Sequence, residues 1–273
     1  MKRIYTFGGK PAERNLTVHC ARQNKEDGIK MVQVSAATAE EAEACERAGV
    51  DMIAASDHNV AAVRDGAPTT FIIASLRMTE YITEDNALAA AIRALELGAD
   101  AIYTPRGLST VERLANEGIA VQGHVGLVPR LSTQVGGMRV IGKTADEAMK
   151  VFSDVKRFED AGGAAVEAEL VAVEALEEIS KRTSLITHSI GSGSGGDVIF
   201  SFMQDICGDV ERPPRHARAW ADMRSVRRLE AVERAKGVDG FTEAVRLGTF
   251  PDAKHTVPMP REEHDLFLAS LDT

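Results

Sequence analysis

The stretch Asn86-Ala-Leu-Ala-Ala-Ala-Ile-Arg-Ala-Leu-Glu-Leu97 runs into Gly98 and then into Ala99-Asp-Ala-Ile-Tyr103. A charged, Ala-rich amphipathic segment ends at glycine, and a short apolar run follows at once. Glycine suits the position just past a helix because it takes the left-handed C′ conformation without a Cβ penalty. The same order recurs elsewhere. Glu40 to Ala48 stops at Gly49 before Val50-Asp-Met-Ile-Ala-Ala, Thr110 to Glu117 at Gly118 before Ile119-Ala-Val-Gln, and Thr144 to Ala161 at Gly162 before Gly163-Ala-Ala-Val-Glu-Ala-Glu. At the opposite helix ends, Thr38 with Glu41, and Thr83 with Glu84 and Asp85, read as N-caps and dipole partners.

Apolar runs near 30–34, 51–55, 71–74, 99–103, 119–122, 164–168 and 185–188 predict seven strands, and an eighth is expected at Arg215-His-Ala-Arg-Ala-Trp220. Strands alternating with helices of this length imply right-handed βαβ units and a parallel sheet. No GxGxxG follows the first strand and the alternation continues too long for a Rossmann sheet, so a (β/α)8 TIM barrel is the expected fold. Residues 1–273 read as one barrel domain, with a C-terminal appendage from about 237 marked by Pro251, Pro258 and Pro260.

Composition agrees. Hydrophobic residues make up 44% of the 273 and aromatics only 5%, as expected of a barrel filled by Val, Ile, Leu and Ala. A net charge of −9 argues against a nucleic-acid partner, since nothing offsets phosphate repulsion. No apolar run approaches the ~20 residues that span a bilayer. Cys20, Cys45 and Cys207 are widely spaced and suggest a reduced, cytoplasmic protein, with Cys45 expected to be buried in mid-helix. The N-terminal Met-Lys-Arg-Ile-Tyr-Thr has charge but no apolar core, unlike a secretory signal.

Barrel chemistry sits at the C-terminal ends of the strands. Those positions read Ser35; Asp57 and His58; Ser75 and Arg77; Tyr103 and Arg106; His124; Glu167 and Glu169; His188 and Ser189. Any one of them alone is an ordinary polar residue at a loop entrance. Their convergence on one rim points to a site.

Three stretches carry a family resemblance: Gly118-Ile-Ala-Val-Gln-Gly-His124-Val-Gly-Leu-Val-Pro129, Gly136-Gly-Met-Arg-Val-Ile-Gly142-Lys143-Thr144 and Ser189-Ile-Gly-Ser-Gly193. In order and spacing they resemble the ketopantoate hydroxymethyltransferases, within the phosphoenolpyruvate mutase and isocitrate lyase-like barrels. The likeness runs over most of residues 30–255. Asp57 matches a metal-ligating aspartate of the family, with His58 in place of its serine. Ser75 stands where the family has a second metal-reaching aspartate. Tyr103 replaces a substrate-binding lysine, and Pro105 replaces a third acidic position. His124 keeps the family's Gly-His pattern, Glu169 falls on its catalytic glutamate, and Phe241 to Pro251 resembles its C-terminal helix and turn.

The resemblance implies enolisation of a small 2-oxo acid and attack on a one-carbon unit from methylenetetrahydrofolate, as in pantothenate biosynthesis. It implies a divalent metal (Mg²⁺ in the family) and a homo-oligomer, a large ring in the family. Glu169 and His124 are then the catalytic residues. Asp57, His58, Ser75, Arg77, Tyr103, Arg106 and His188 bind substrate, and Asp57 holds whatever metal remains. Mg²⁺ wants several hard oxygen ligands, which Asp57, Ser75 and Pro105 do not supply. Two local alternatives stay open. His58, His124 or His188 could complete a softer N/O site with Asp57, or a metal-free site could hold an anionic substrate through Arg77 and Arg106. Two functional alternatives stand beside hydroxymethyl transfer: a divergent C–C lyase or aldolase on another oxo or hydroxy acid, and a non-catalytic ligand-binding barrel.

Gly137-Met-Arg-Val-Ile-Gly142-Lys143-Thr144 spells a P-loop letter for letter, but no convincing strand precedes it and its middle is bulky; Thr144 reads instead as a helix N-cap. Gly191-Ser-Gly-Ser-Gly-Gly196 reads as a turn leading into a helix, either a phosphate cradle or a tight βα loop.

Overall fold

The computed structural model describes residues 1–271. By its backbone contacts the chain divides into two compact units, Met1–Ala221 and Asp222–Thr273. The first begins with an antiparallel hairpin, β1 (Lys2–Tyr5) and β2 (Pro11–Arg14), followed by helix α1 (Val18–Glu26). Then come β3 (Met31–Ser35), α2 (Ala39–Ala48), β4 (Met52–Ser56), α3 (Val60–Gly66), β5 (Phe71–Ser75), α4 (Glu84–Glu96), β6 (Ala101–Tyr103) and α5 (Leu108–Ala115). The series continues with β7 (Val121–Gly126), α6 (Ala145–Asp160), β8 (Ala165–Glu169), α7 (Val173–Ser180), β9 (Ile186–Ile190), β10 (Val198–Ser201) and the short α8 (Met203–Ile206). Strands β3 to β10 pair in parallel, in chain order, and β10 closes on β3. The expected TIM barrel is present.

The caps work as the sequence suggested. Thr38 accepts from the Glu41 amide while the Glu41 carboxylate takes the amide of Ala37, the residue before the cap. Thr83 caps α4 through the Asn86 amide. Gly49, Gly98, Gly118 and Gly162 all follow helices with positive φ.

The eighth strand is not Arg215–Trp220. That segment is irregular and mostly exposed, with the Arg218 guanidinium 5.3 Å from the centre of the Trp220 ring. The strand is Val198–Ser201, whose alternation turns Val198 and Phe200 into the barrel and leaves Ile199 outward. Arg215 and Arg218 could not be buried there without unpaired charge. The glycine loop after β9 likewise does not lead into a helix; it passes straight to β10.

Two apolar layers fix the barrel. Outside, Ile53, Ile72, Ile102 and Val121 pack under helical Ala42, Val63, Ala91, Val111 and Leu114. Inside, the lower half is apolar, with Met31, Met52, Phe71, Ile73, Ile186 and Val198, and Leu16 and Ala21 at the N-terminal segment join this cluster. Burying each such side chain contributes roughly 1.5–3 kcal/mol. Around β6, Arg14 and Arg64 converge on Asp100 at 2.6 and 2.7 Å, and Asp100 also accepts from the Ile72 amide. Cys45 is buried as expected, and burial pushes its thiol up to about 11.

The second unit carries α9 (Met223–Arg246) and α10 (Arg261–Leu271), with Phe241 and Phe250 edge to face. Gly237, near which the sequence suggested an appendage, lies inside α9. No helix among the described residues is long and apolar enough to cross a membrane.

Candidate active site

Parallel pairing places every strand's C-terminal end at one mouth. Asp57 directly follows β4 and Glu169 ends β8, so both stand at that mouth, on strands four places apart in a closed ring of eight.

The densest chemistry comes from three neighbouring strands. Tyr103 ends β6, His124 lies on β7, and Glu167 and Glu169 share the inward face of β8 because strand side chains alternate. The Tyr103 hydroxyl is 2.8 Å from His124 Nδ1. On the other side of the ring, His124 Nε2 lies 3.1 Å from the Leu127 carbonyl oxygen and 3.2 Å from Glu169 Oε2. Glu167 Oε2 is 3.7 Å from Nδ1. A histidine bridges a tyrosine and two carboxyl groups, nearly out of reach of water.

Two carboxyl groups on one strand face repel when both are ionised, which raises the proton affinity of one. The raised group is Glu167, pushed up to about 7, and burial is the leading cause; His124 opposes the rise and the charge of Glu169 adds to it as a lesser cause. Burial also raises the Tyr103 phenol, with help from Glu167 and Glu169, so its proton is held firmly.

The backbone behind Glu169 is tightly determined. Leu170 adopts φ +47°, a left-handed conformation unusual for leucine. It is held there because its amide donates to Ile190 O and its carbonyl accepts from the Ile141 amide, both at 2.8 Å. Gly126 faces Glu169 across the β7–β8 register. Strain of this kind persists where surrounding contacts over-determine it.

Across the mouth, Asp57 is buried. One of its carboxylate oxygens accepts a short hydrogen bond from the Tyr81 hydroxyl, and the other lies 3.4 Å from Ser56 Oγ. His58 is turned outward to Glu80, at 3.0 Å. Ser75 ends β5 between Ser56 and Tyr103 in register. Among the described residues no group of three or more His, Cys, Asp or Glu side chains could hold a metal ion. A lone carboxylate already engaged by a phenol, a neutral serine and a proline do not fit Mg²⁺. Of the histidines, His58 Nε2 lies 3.0 Å from Glu80 and 3.8 Å from Asp57 Oδ2, while His124 is engaged by Tyr103 and the Leu127 carbonyl. Asp57, the expected metal ligand, accepts from the Tyr81 hydroxyl in this structure.

Other expectations are corrected. His188 is not on the rim but fully buried inside the barrel, 2.5 Å from Gln33 Oε1, and burial pushes it down to about 3. Its burial favours the neutral imidazole. The Arg106 guanidinium donates to the Ile82 carbonyl, and Arg77 lies exposed 3.8 Å from Glu80. Tyr81, Gln33 and the Leu127 carbonyl were missed. Only Gln33 had a legible signal, a polar residue inside an apolar strand run.

The P-loop spelling has a structural explanation. The Gly142 and Lys143 amides, which a nucleotide site would aim at phosphate, are both held by the Glu147 carboxylate, while Thr144 caps α6. In the glycine loop, Ser192 donates to Ala168 O and accepts from the Val171 amide. With no helix following, that loop lacks the dipole of a phosphate cradle.

Comparison with known proteins agrees with this barrel. The family profile described as ketopantoate hydroxymethyltransferase matches residues 56–253. A 3-methyl-2-oxobutanoate hydroxymethyltransferase of Pyrobaculum islandicum is 35% identical over 198 residues, covering 71% of this chain and 73% of its own. One from Thermus thermophilus is 31% identical, covering 84% of this chain and 95% of its own. Among solved structures, a phosphoenolpyruvate phosphomutase of Streptomyces platensis subsp. rosaceus superposes with a TM-score of 0.52 at 12% identity, covering 94% of this chain and 96% of that one. A phosphonopyruvate hydrolase in complex with oxalate and Mg²⁺ gives 0.51 at 12% identity, covering 94% and 98%. At that identity the likeness is one of fold.

Proposed function

The chain belongs to the ketopantoate hydroxymethyltransferase family, and from that premise we propose that it forms or cleaves a C–C bond on a small 2-oxo acid by hydroxymethyl transfer, with methylenetetrahydrofolate as one-carbon donor. The observation that carries this reading is the Glu169 carboxylate at the barrel mouth, 3.2 Å from His124 Nε2.

A 2-oxo acid such as 3-methyl-2-oxobutanoate is activated by losing the proton on C3. Glu169 takes that proton, the C–H electron pair forms the C2–C3 double bond, and the carbonyl π pair moves to oxygen. Water adds to the methylene carbon of methylenetetrahydrofolate and its two C–N bonds break, releasing tetrahydrofolate and formaldehyde. C3 of the enolate bonds to the formaldehyde carbon as the C2 carbonyl re-forms, and the formaldehyde π pair moves to oxygen, which takes the proton held by Glu169 to give the hydroxymethyl group. His124 Nε2 lies 3.2 Å from Glu169, and Glu167 is a buried neighbour that keeps its own proton at mildly acidic pH. In the family a divalent cation stabilises enolate charge, whereas the donor set here does not fit Mg²⁺.

A C–C lyase or aldolase on another oxo or hydroxy acid is the second reading, favoured by Tyr103 paired to His124 at the position of the family's lysine. One experiment separates them. The protein is incubated in D₂O with a panel of 2-oxo acids, without folate, and loss of the C3 proton signal is followed by NMR. Exchange of 3-methyl-2-oxobutanoate, lost in Glu169→Gln, supports hydroxymethyl transfer. Exchange restricted to a different acid favours the second reading. No exchange with any member overturns enolisation here. Assembly as a homo-oligomer is part of the same proposal, and light scattering tests it.

A further inference from the structure

The ring of His124 lies between Tyr103 and Glu169, and its two nitrogens meet different partners. The Leu127 carbonyl oxygen, 3.1 Å from Nε2, can only accept a hydrogen bond, so Nε2 carries hydrogen. In a neutral imidazole the other nitrogen is then a bare acceptor. The hydroxyl 2.8 Å from Nδ1 is that of Tyr103, which must therefore donate.

We propose that Tyr103 is a positioning residue for Glu169: by donating to Nδ1 it fixes the His124 tautomer whose Nε2–H donates to the Leu127 carbonyl and so presents a hydrogen, not a lone pair, beside the Glu169 carboxylate 3.2 Å away. This deepens the reading of Glu169 as the proton-moving residue and rests on it.

The alternative arrangement shows what the hydroxyl prevents. Without it, the polar group nearest Nδ1 is Glu167 Oε2 at 3.7 Å. An ionised Glu167 would draw hydrogen to Nδ1 and leave a lone pair on Nε2. That lone pair would face two oxygens, Leu127 O and Glu169 Oε2, with no hydrogen between them. Buried acceptors so opposed repel, and Glu169 would swing away. Tyr103 is suited to its task because it is nearly buried and its phenol is raised by that burial, so it stays a donor across the neutral range. Facing the same ring are Glu167 and Glu169 from β8, with Arg130 near enough to the phenol to act on it.

The test is solid-state ¹⁵N NMR of the full-length protein with labelled histidine rings, His124 being identified by its loss in His124→Gln. The expected wild-type spectrum at neutral pH has a protonated Nε2 and a pyridine-like Nδ1. In Tyr103→Phe the Nδ1–H form should appear. Exchange of the 2-oxo acid should fall by about 10-fold or more, and its pH profile should shift where Glu167 titrates. A wild-type ring protonated on Nδ1 overturns the proposal without any variant, so a misfolded Tyr103→Phe does not leave it open. A Tyr103→Phe protein with the wild-type tautomer and pH profile also overturns it. Absence of exchange in the wild type would defeat the functional reading alone, because the ring spectrum needs no substrate.

Discussion

Gly126 on β7 and Glu169 on β8 are register partners, and a Cβ added to Gly126 would stand 2.5 Å from the Glu169 carbonyl oxygen. It would meet Val171 at the same distance, and Gly126 itself sits at φ +80°, where L side chains are strained. Close approach of two backbones is what fixes the carboxylate at the mouth.

Gly126→Ala should therefore move Glu169. The expected cost is on the order of 1–3 kcal/mol of stability from backbone strain and contact, with proton exchange on the 2-oxo acid reduced about 10-fold by misplacement. Urea unfolding and the exchange assay measure both. Wild-type values for both would show that the close approach does not position Glu169.

Glu169→Gln keeps shape and removes ionisation. Turnover should fall ~10²-fold or more while the fold is retained, as circular dichroism would show. A variant with near-full activity on the true substrate would remove Glu169 from the mechanism.

Glu167 makes stability depend on pH. Its folded value of about 7 lies above that of an unfolded glutamate, so the folded state binds the extra proton. Its contribution is fully present below about pH 4.3, and is lost as pH rises through about 7. Glu167→Gln should flatten that decline, a difference on the order of 1–3 kcal/mol between pH 5 and 8. Denaturation midpoints at several pH values read it directly; parallel curves for both proteins would contradict it.

Magnesium gives a fourth expectation. Asp57, Ser75 and Pro105 should not bind Mg²⁺ tightly, and calorimetric titration of the purified protein should show no stoichiometric heat. Tight one-to-one binding abolished by Asp57→Asn would refute this.

Asp100→Ala tests the ion cluster around β6. It leaves Arg14 and Arg64 without their shared, nearly buried carboxylate, and should cost about 3–5 kcal/mol. The measurement is again urea unfolding, and a loss below about 1 kcal/mol would mean that water screens the cluster.

What the sequence determined by itself was whatever depends on local pattern. Helix ends at Gly49, Gly98, Gly118 and Gly162, caps at Thr38, Thr83 and Thr144, and seven apolar runs each follow from short-range conformational preference and burial, and together they specify the barrel. The eighth strand escaped because Val198–Ser201 is four residues long and follows glycines without a helix, so no period announces it. The site was legible as a list of rim residues and illegible as contacts. Strand alternation put Glu167 and Glu169 on one face, but only closure of the ring brought Tyr103 and His124 against them. His188 lies on the inward face of β9 at a depth that only pairing with β8 and β10 fixes, and that depth makes it a neutral core residue. Side-chain type is a local property. Burial, proton affinity and partner are set by residues far away in sequence, and for this protein the tertiary structure decided them.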